Sequence, residues 1–286
     1  WVAFSEYDEN KALIHSIYPR NTIIERRSAG KSGEIQIIAT NIDYGLIVQS
    51  VNRDFNINRL ERYLTICNAS NIEPIIVISK TDLIKEKNLK TILNQIKKRI
   101  KNVMLIAISS QSGVGLDKIE AIIKKGKTYC LLGSSGVGKS TLLNRLAGKE
   151  MMTTSAISKS IDRGKHITTH RELIVLKSGG ILIDNPGLRE IGITNTPSGL
   201  ETTFNEIAEL SQNCKFNDCT HVNEKGCAVV EALENGEIDT DSYANYHKMK
   251  RERDFFESSL AEKKKKDKDF GKMIKNVKKQ RKQNKY

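Results

Sequence analysis

A glycine-rich stretch at residues 133–141 carries the residue types that bind a chain of phosphates. It matches the pattern G-x-x-x-x-G-K-[ST] and consists of Gly133, Ser134, Ser135, Gly136, Val137, Gly138, Lys139, Ser140 and Thr141. The residues at 128–132 predict a buried strand before it, and those at 139–147 have the spacing of a helix. Such a turn directs backbone N–H groups into one concavity at the positive end of a helix dipole. We therefore expect Lys139 to contact the β- and γ-phosphates of a nucleotide and Ser140 to hold magnesium.

The base must be specified by other residues, because ATPases and GTPases share this phosphate loop. Ser79, Lys80, Thr81 and Asp82 follow an apolar run and resemble the guanine motif [NT]-K-x-D. The Asp82 carboxylate could accept hydrogen bonds from N1–H and the exocyclic amine of guanine, a pair of donors that adenine lacks. An ordinary turn at the end of a strand is the alternative interpretation.

A second loop, at residues 109–113, follows the next apolar run and is similar to the loop that lies over the base in GTPases. It begins with Ser109 and Ser110. Both loops follow predicted strands, and ligands of open α/β sheets bind at the carboxyl ends of the strands. We therefore predict that both serines lie at the nucleotide site.

Residues 184–187 end another predicted strand and resemble the D-x-x-G motif. Asp184 would hold magnesium through water, and the Gly187 N–H would sense the γ-phosphate. The polar stretch at 163–170 favours a mobile switch that orders around the metal and the phosphate. The guanine motif precedes the phosphate loop, the reverse of the order in ordinary small GTPases. A circular permutation of the chain would build the same sheet.

The elements that must position these motifs can be inferred from the periodicity. Apolar runs alternate with helical patterns between residues 42 and 183, which predicts a parallel α/β sheet with helices on both faces. Residues 1–38 predict part of a small β-domain. Helical spacing from Leu200 to Leu210 begins a region without strands. No apolar run approaches the ~18 residues of a membrane span.

Four residues near the C-terminal end form a ligand set for a metal: Cys214, Cys219, His221 and Cys227. Three thiolates and one imidazole are typical of a closed, structural zinc site. The other two of the five cysteines lie in apolar patterns, which favours a reducing compartment over disulfides. Free cysteines beside a surface histidine are the alternative.

The charge of the chain predicts a polyanionic partner, either nucleic acid or an acidic membrane surface. Its formal net charge is +13, and the segment after Leu260 is rich in lysine. Such a segment could bind RNA phosphates, with an affinity that falls as salt rises. A solvated, charged helix is the alternative interpretation.

Together these motifs resemble the RsgA/YjeQ family of circularly permuted GTPases that depend on the small ribosomal subunit. Further matches are the sequences TNID at 40–43, RLERYL at 59–64, and the switch segment RGKHITTHREL at 163–173. The resemblance implies a partial OB-fold at 1–38, a circularly permuted P-loop GTPase domain at 39–198, a helical zinc-binding domain at 199–260 and a basic tail at 261–286. It implies GTP hydrolysis stimulated by the small ribosomal subunit, contact with its rRNA, and a role in its late maturation. We expect a cytoplasmic monomer, without a membrane partner, that binds GTP or GDP with Mg²⁺ and one zinc ion.

The resemblance also implies a catalytic histidine. Leu188 stands where Ras-like enzymes have a water-orienting glutamine, and His166 matches the switch histidine that other enzymes use instead. Thr168 matches the threonine that ligates magnesium, with Thr169 as its near competitor. Ser79 departs from the usual Asn or Thr of the guanine motif. Two alternative functions stay open: a GTPase of large-subunit assembly, and a non-enzymatic RNA-binding module with a decayed nucleotide site.

Overall fold

A computed structural model describes residues 1–8, 11–27, 35–52, 55–148, 172–184 and 197–257. The strands in these ranges are β1 (Val2–Asp8), β2 (Lys11–Ile17), β3 (Ile23–Arg27), β4 (Ile35–Thr40), β5 (Tyr44–Ser50), β6 (Glu73–Ser79), β7 (Met104–Ala107), β8 (Thr128–Leu132), β9 (Glu172–Val175) and β10 (Ile181–Asp184). The helices are α1 (Ile57–Ala69), α2 (Glu86–Arg99), α3 (Leu116–Ile122), α4 (Lys139–Ala147), α5 (Pro197–Thr203), α6 (Asn205–Ser211), α7 (Ala228–Glu234) and α8 (Thr240–Glu257).

Six strands form one central sheet in the order β7-β6-β5-β8-β10-β9. The first five are mutually parallel, and β5 lies between β6 and β8. Leu46, Ile47 and Val48 of β5 are at most 1% exposed, because helices cover both faces of the sheet at this strand. The predicted α/β architecture is therefore confirmed, and β8 and α4 have the bounds that the sequence indicates.

The edge strand β9 corrects the prediction of an all-parallel sheet. It pairs antiparallel with β10, and Ile174 lies opposite Leu182. A tight turn joins the two strands, with hydrogen bonds from Leu176 N to Gly180 O and from Gly179 N to Leu176 O, both 2.8 Å. A parallel pair needs a crossover of about a dozen residues or more, and this connection is too short for one.

Two apolar layers cover the faces of the sheet. One layer includes the apolar sides of α1 and α2, and the other includes those of α3 and α4. Cys67 and Cys130 are fully buried in the first layer, as their apolar patterns predict. α4 lies between Gly138 and Gly148, both with left-handed backbone angles that favour glycine.

The N-terminal strands form two separate antiparallel hairpins, β1–β2 and β3–β4. The sequence pattern indicates β2 and β4 but does not single out β1 and β3. The second hairpin joins the layer that covers the sheet through Ile24, which is fully buried, and Ile38, which is 7% exposed. The first hairpin exposes most of its side chains.

The C-terminal helices pack together and against α1. Leu200, Phe204 and Ile207 belong to their shared core. The predicted helix from 200 to 210 is two helices, because the backbone at Phe204 leaves helical geometry with φ −111° and ψ 49°. α5 lies so close to α1 that a Cβ on Gly199 would approach the Cβ of Ala69 to 2.6 Å. Only a glycine permits this approach.

A buried polar network joins α8 to α1 and α2. Glu61 accepts two hydrogen bonds from Arg99, at 2.6 and 2.8 Å, and one from Asn245 at 2.5 Å. The side chains of Glu61 and Arg99 are only 3% and 8% exposed. Burial raises the pKa of Glu61, although its hydrogen bonds oppose the shift. A second contact between α1 and α8 is a bidentate salt bridge, in which Arg62 donates to Glu252 at 2.7 and 2.5 Å.

This network predicts a large loss of stability for Arg99→Ala. The substitution leaves the Glu61 carboxylate buried without its cation, which costs about 3–5 kcal/mol of the free energy of unfolding. Urea denaturation measures the change. Lys90→Ala on the same helix is the matched control, because Lys90 pairs with Glu86 in an exposed contact and its loss should change little. Equal effects of both substitutions would contradict a role for the network.

Candidate functional site

The phosphate loop joins β8 to α4 at the carboxyl end of the sheet. Gly133 has φ +145°, and a Cβ there would lie 2.3 Å from Val48 O of the neighbouring strand. Gly136 and Gly138 also have positive φ, at +78° and +99°. Ser134 and Ser135 complete the turn. The loop therefore needs glycine at these positions for its backbone to adopt this shape.

The ammonium of Lys139 lies over the turn. Its Nζ donates to Gly133 O at 2.7 Å and to Ser134 O at 2.8 Å. Ser140 and Thr141 follow in the first turn of α4, where backbone N–H groups have no partner within the helix. This places one cation and the positive end of a helix dipole at the same concavity, which is an arrangement suited to an anion.

The predicted guanine motif is hydrogen-bonded to the phosphate loop. Ser79, at the end of β6, donates through its hydroxyl to Val137 O at 2.6 Å. Lys80 has left-handed backbone angles and donates through Nζ to Gly136 O at 2.7 Å. The structure therefore brings together two motifs that are more than 50 residues apart in the chain.

Asp82 lies in a short turn after β6, and its carboxylate contacts the predicted base loop. Its Oδ1 accepts a hydrogen bond from the Ser109 hydroxyl at 2.5 Å, and the same hydroxyl accepts from Ser112 N at 3.1 Å. Ser110 is held from the other side, because its carbonyl accepts from Arg145 Nε of α4 at 3.0 Å. Arg145 was not among the predicted residues, and no sequence pattern indicates it.

Asp184 is the last residue of β10, and it is 3% exposed. β10 pairs with β8 in a register that sets Asp184 beside Leu131, two residues before the loop begins. A carboxylate at this position is suited to a magnesium ion that binds next to the phosphates, since Mg²⁺ prefers oxygen ligands. The remaining predictions of the switch region, at His166, Thr168, Thr169 and Gly187, lie outside the described residues, as does the basic tail at 261–286.

The four predicted metal ligands lie together in the loop between α6 and α7. All their ligand atoms are within 4.8 Å of one another. The Sγ atoms of Cys214 and Cys227 are 3.8 Å apart, and they lie 3.5 and 3.6 Å from His221 Nδ1. Tetrahedral zinc, with Zn–S near 2.3 Å and Zn–N near 2.0 Å, separates two sulfurs by about 3.8 Å and a sulfur from a nitrogen by about 3.5 Å. The cluster therefore fits one zinc ion.

The ionisation of these groups also suits a metal. Burial and the charge of Lys250 lower the pKa of His221, which keeps the imidazole neutral. Burial works against ionisation of Cys214, but hydrogen bonds from N–H groups at the start of α7 and from Cys227 and Cys219 together outweigh it and lower its pKa. For Cys219, burial raises the pKa to about 11, and the neighbouring thiols add to the shift. Thiolates so close together repel each other, and a bound divalent cation would offset this repulsion.

Two further residues shape the metal loop, and the sequence analysis missed both. The Glu224 carboxylate accepts hydrogen bonds from the Thr220 hydroxyl and from the backbone N–H of Thr220, Val222 and Asn223. The bonds from Thr220 hold the pKa of Glu224 well below its usual range. The Tyr243 hydroxyl donates to His221 O at 2.5 Å. Only the folded loop reveals these roles, because Glu224 has no distinguishing spacing in the sequence.

No helix within the described ranges combines the length and the apolar character that a membrane crossing requires.

The order of the strands and motifs, with the guanine motif on β6 before the phosphate loop after β8, defines a circularly permuted P-loop GTPase.

The comparisons with known proteins agree with this class. A family model described as RsgA GTPase matches residues 17–194, more than half of the chain. A protein named small ribosomal subunit biogenesis GTPase RsgA 1, from Listeria innocua serovar 6a, is 45% identical over 243 residues, which cover 85% of this chain and 69% of that protein. The chain therefore belongs to the RsgA GTPase family, and it is a GTP-hydrolysing enzyme. The alternative of a non-enzymatic module is not supported.

Solved structures show the same fold. YjeQ from Thermotoga maritima matches with a TM-score of 0.64 at 26% identity, over 87% of this chain and 81% of that one. YloQ, a circularly permuted GTPase, matches with a TM-score of 0.61 at 27% identity, over 91% and 81% of the two chains. A model of ABC transporters also matches, at residues 116–284. This range includes the phosphate loop, which ATPases and GTPases share.

The metal cluster predicts one zinc ion per chain, measured as the metal content of the purified protein. We expect Cys214→Ala to lose the zinc and to unfold the loop it closes, because such sites supply about 10 kcal/mol or more of folding free energy. Cys67→Ala is the matched control, since Cys67 is buried in the sheet core and should leave the zinc bound. Wild-type protein without zinc would contradict the assignment.

Proposed function

We propose that this chain binds GTP and GDP at the carboxyl end of the sheet, with the phosphates in the loop at 133–141 and guanine at Asp82. The contacts of Ser79 and Lys80 with Val137 O and Gly136 O support this most directly. They hold the base motif against the phosphate loop, so that one nucleotide could reach both.

Ser79 suggests how the base is selected in this chain. Its hydroxyl donates to Val137 O, and the residue is 3% exposed. Ser79 therefore contributes to the shape of the site rather than to direct contact with the base. Selection for guanine then rests on Asp82, whose orientation Ser109 fixes through a hydrogen bond. A carboxylate held in place loses little entropy when it accepts the two guanine donors.

The hydrolysis step would use a magnesium ion and a switch histidine. We propose that Ser140, Thr168 and Asp184 hold Mg²⁺, which would neutralise charge on the phosphates. Lys139 would stabilise the charge that develops on the transferred phosphoryl group. His166 would position the attacking water.

The proposed partner is the small ribosomal subunit. The relatives carry the name small ribosomal subunit biogenesis GTPase, and the chain shares 45% identity with one of them. We propose that the subunit stimulates hydrolysis during its late maturation by ordering the switch around His166. The basic tail and the zinc-binding helices would contact rRNA. The net charge of +13 supports a polyanionic partner.

This proposal keeps the division of the chain into four parts: a partial OB-fold at 1–38, the GTPase domain at 39–198, the zinc-binding helices at 199–260 and the tail at 261–286. A ribosomal partner implies action in the cytoplasm. We propose that the protein acts as a monomer, one copy on each subunit.

The base contact predicts a switch of specificity for Asp82→Asn. An amide can donate to the O2 atom of xanthine but cannot accept both guanine donors, so GTP should bind at least about tenfold more weakly and xanthosine triphosphate more tightly. Nucleotide titration measures both affinities. Asp117→Asn, an exposed carboxylate on α3, is the matched control and should change neither. An unchanged preference for GTP over xanthosine triphosphate in Asp82→Asn would contradict the assignment of Asp82 as the residue that binds guanine.

The partner and the histidine are tested together by GTP turnover with purified subunits. We expect slow hydrolysis by the protein alone and strong stimulation by small subunits. His166→Ala should reduce the stimulated rate on the order of 100-fold, because the water is no longer positioned. His170→Ala, in the same polar stretch, is the control and should keep most of the stimulation.

Three outcomes would count against this function. Stimulation by large subunits alone would favour the rival role in large-subunit assembly. Equal rates with and without any subunit would remove the ribosomal trigger. Full stimulation of His166→Ala would remove the histidine from the mechanism.

A further inference from the structure

The metal-binding loop displays one aromatic ring to solvent. Phe216 lies between the ligands Cys214 and Cys219, and it is 48% exposed. Val222 of the same loop is also exposed, at 59%, whereas Phe204 is 4% exposed and both cysteines pack against the core of the C-terminal helices. Single exposed apolar side chains are common on protein surfaces, so the setting of the Phe216 ring, and not its exposure, makes it a candidate contact site.

The loop that carries Phe216 is held in one shape by its own hydrogen bonds. Cys219 N donates to Phe216 O at 3.3 Å, and Lys215 N donates to Gly226 O at 3.0 Å across the base of the loop. The part of the loop at 220–223 is held by four hydrogen bonds that it donates to the Glu224 carboxylate. The ring is therefore presented by a preordered segment, and a ligand that stacks on it would lose little binding energy to ordering.

Positive charge accompanies the ring. Lys215 Nζ lies over the ring of Phe216, 5.5 Å from its centroid, so one face of the ring already contacts a cation. Lys225 belongs to the same loop. The loop also carries two carboxylates, Asp218 and Glu224, and that of Glu224 accepts four hydrogen bonds from within the loop. A flat apolar surface beside flexible ammonium groups matches a nucleotide, which offers a π-face and a phosphate.

We propose that Phe216 is a stacking platform for an unpaired base of RNA, with Lys215 contacting the adjacent phosphate. Proteins that bind single strands use this combination, and stacking tolerates any base. Paired bases are already stacked inside a helix, so the platform selects unpaired nucleotides. A single ring beside a cation is a poorer match for an apolar protein segment, which would need a contiguous groove. The inference rests on the proposed function, since it names what the zinc-binding helices contact on the subunit.

A tryptophan at the platform reports on stacking directly. The chain has one tryptophan, Trp1, so Trp1→Phe gives a silent background for Phe216→Trp. We expect an oligouridylate of about 12 nucleotides to quench the fluorescence of the new indole. A fully paired RNA duplex of the same length should leave it nearly unchanged.

Affinity for the same oligouridylate provides the second measurement. Phe216→Ala should weaken binding by about tenfold to hundredfold, whereas Phe216→Tyr should keep most of it, because the ring is retained. Phe255→Ala is the matched control: Phe255 is a comparably exposed phenylalanine, on α8, at 56%. Zinc content and helical circular dichroism establish that each variant is folded.

Each result decides between the possibilities. Wild-type affinity in Phe216→Ala, or no quenching of the indole by the single strand, would overturn the platform. If Phe216→Ala loses binding to small subunits but keeps its affinity for oligouridylate, the ring contacts protein, and the proposal is wrong. If RNA binding depends on Phe216 but wild-type protein does not bind small subunits, the platform stands and the proposed ribosomal function fails.

Discussion

The hydrogen bonds from the end of β6 to the phosphate loop are the constraint on which the nucleotide site depends. The Ser79 hydroxyl and the Lys80 ammonium both use backbone carbonyls of the loop, at Val137 and Gly136. They tie a segment encoded early in the chain to a loop encoded more than 50 residues later. Since parallel strands present their carboxyl ends at one edge, the sheet brings these segments together whatever their order in the sequence. This is why a circular permutation can preserve such a site.

The permutation also places the C-terminal helices directly after the last strand of the site. The chain leaves β10 at Asp184 and enters these helices at Pro197, and α5 then packs on α1 through the close approach of Gly199 to Ala69. A second contact is polar and joins α8 to α1: Asn245 donates to the buried Glu61 carboxylate, and Glu252 forms an ion pair with Arg62. The C-terminal helices are therefore fixed to the GTPase sheet by a tight backbone contact and by an ion pair. Both depend on α1.

The metal loop shows a similar division between ligands and support. The ligand atoms of Cys214, His221 and Cys227 have the separations of a tetrahedral site in this fold. Glu224 and Tyr243 hold the backbone between and behind them. Outer contacts of this kind orient ligands, and they come from residues whose types are common on any surface.

The sequence by itself determined the alternation of strands and helices and predicted the phosphate loop, the guanine motif and the metal ligands, because each depends on local spacing or periodicity. It indicated β8 and α4 to the residue. Tertiary structure decided the antiparallel direction of β9, the break at Phe204, and the roles of Arg99, Arg145 and Glu224. These depend on which distant segments meet: a short turn at an edge, a helix packed on a helix, or a carboxylate within reach of backbone N–H groups. Local sequence patterns do not indicate which distant segments come into contact, so only the folded chain could reveal these features.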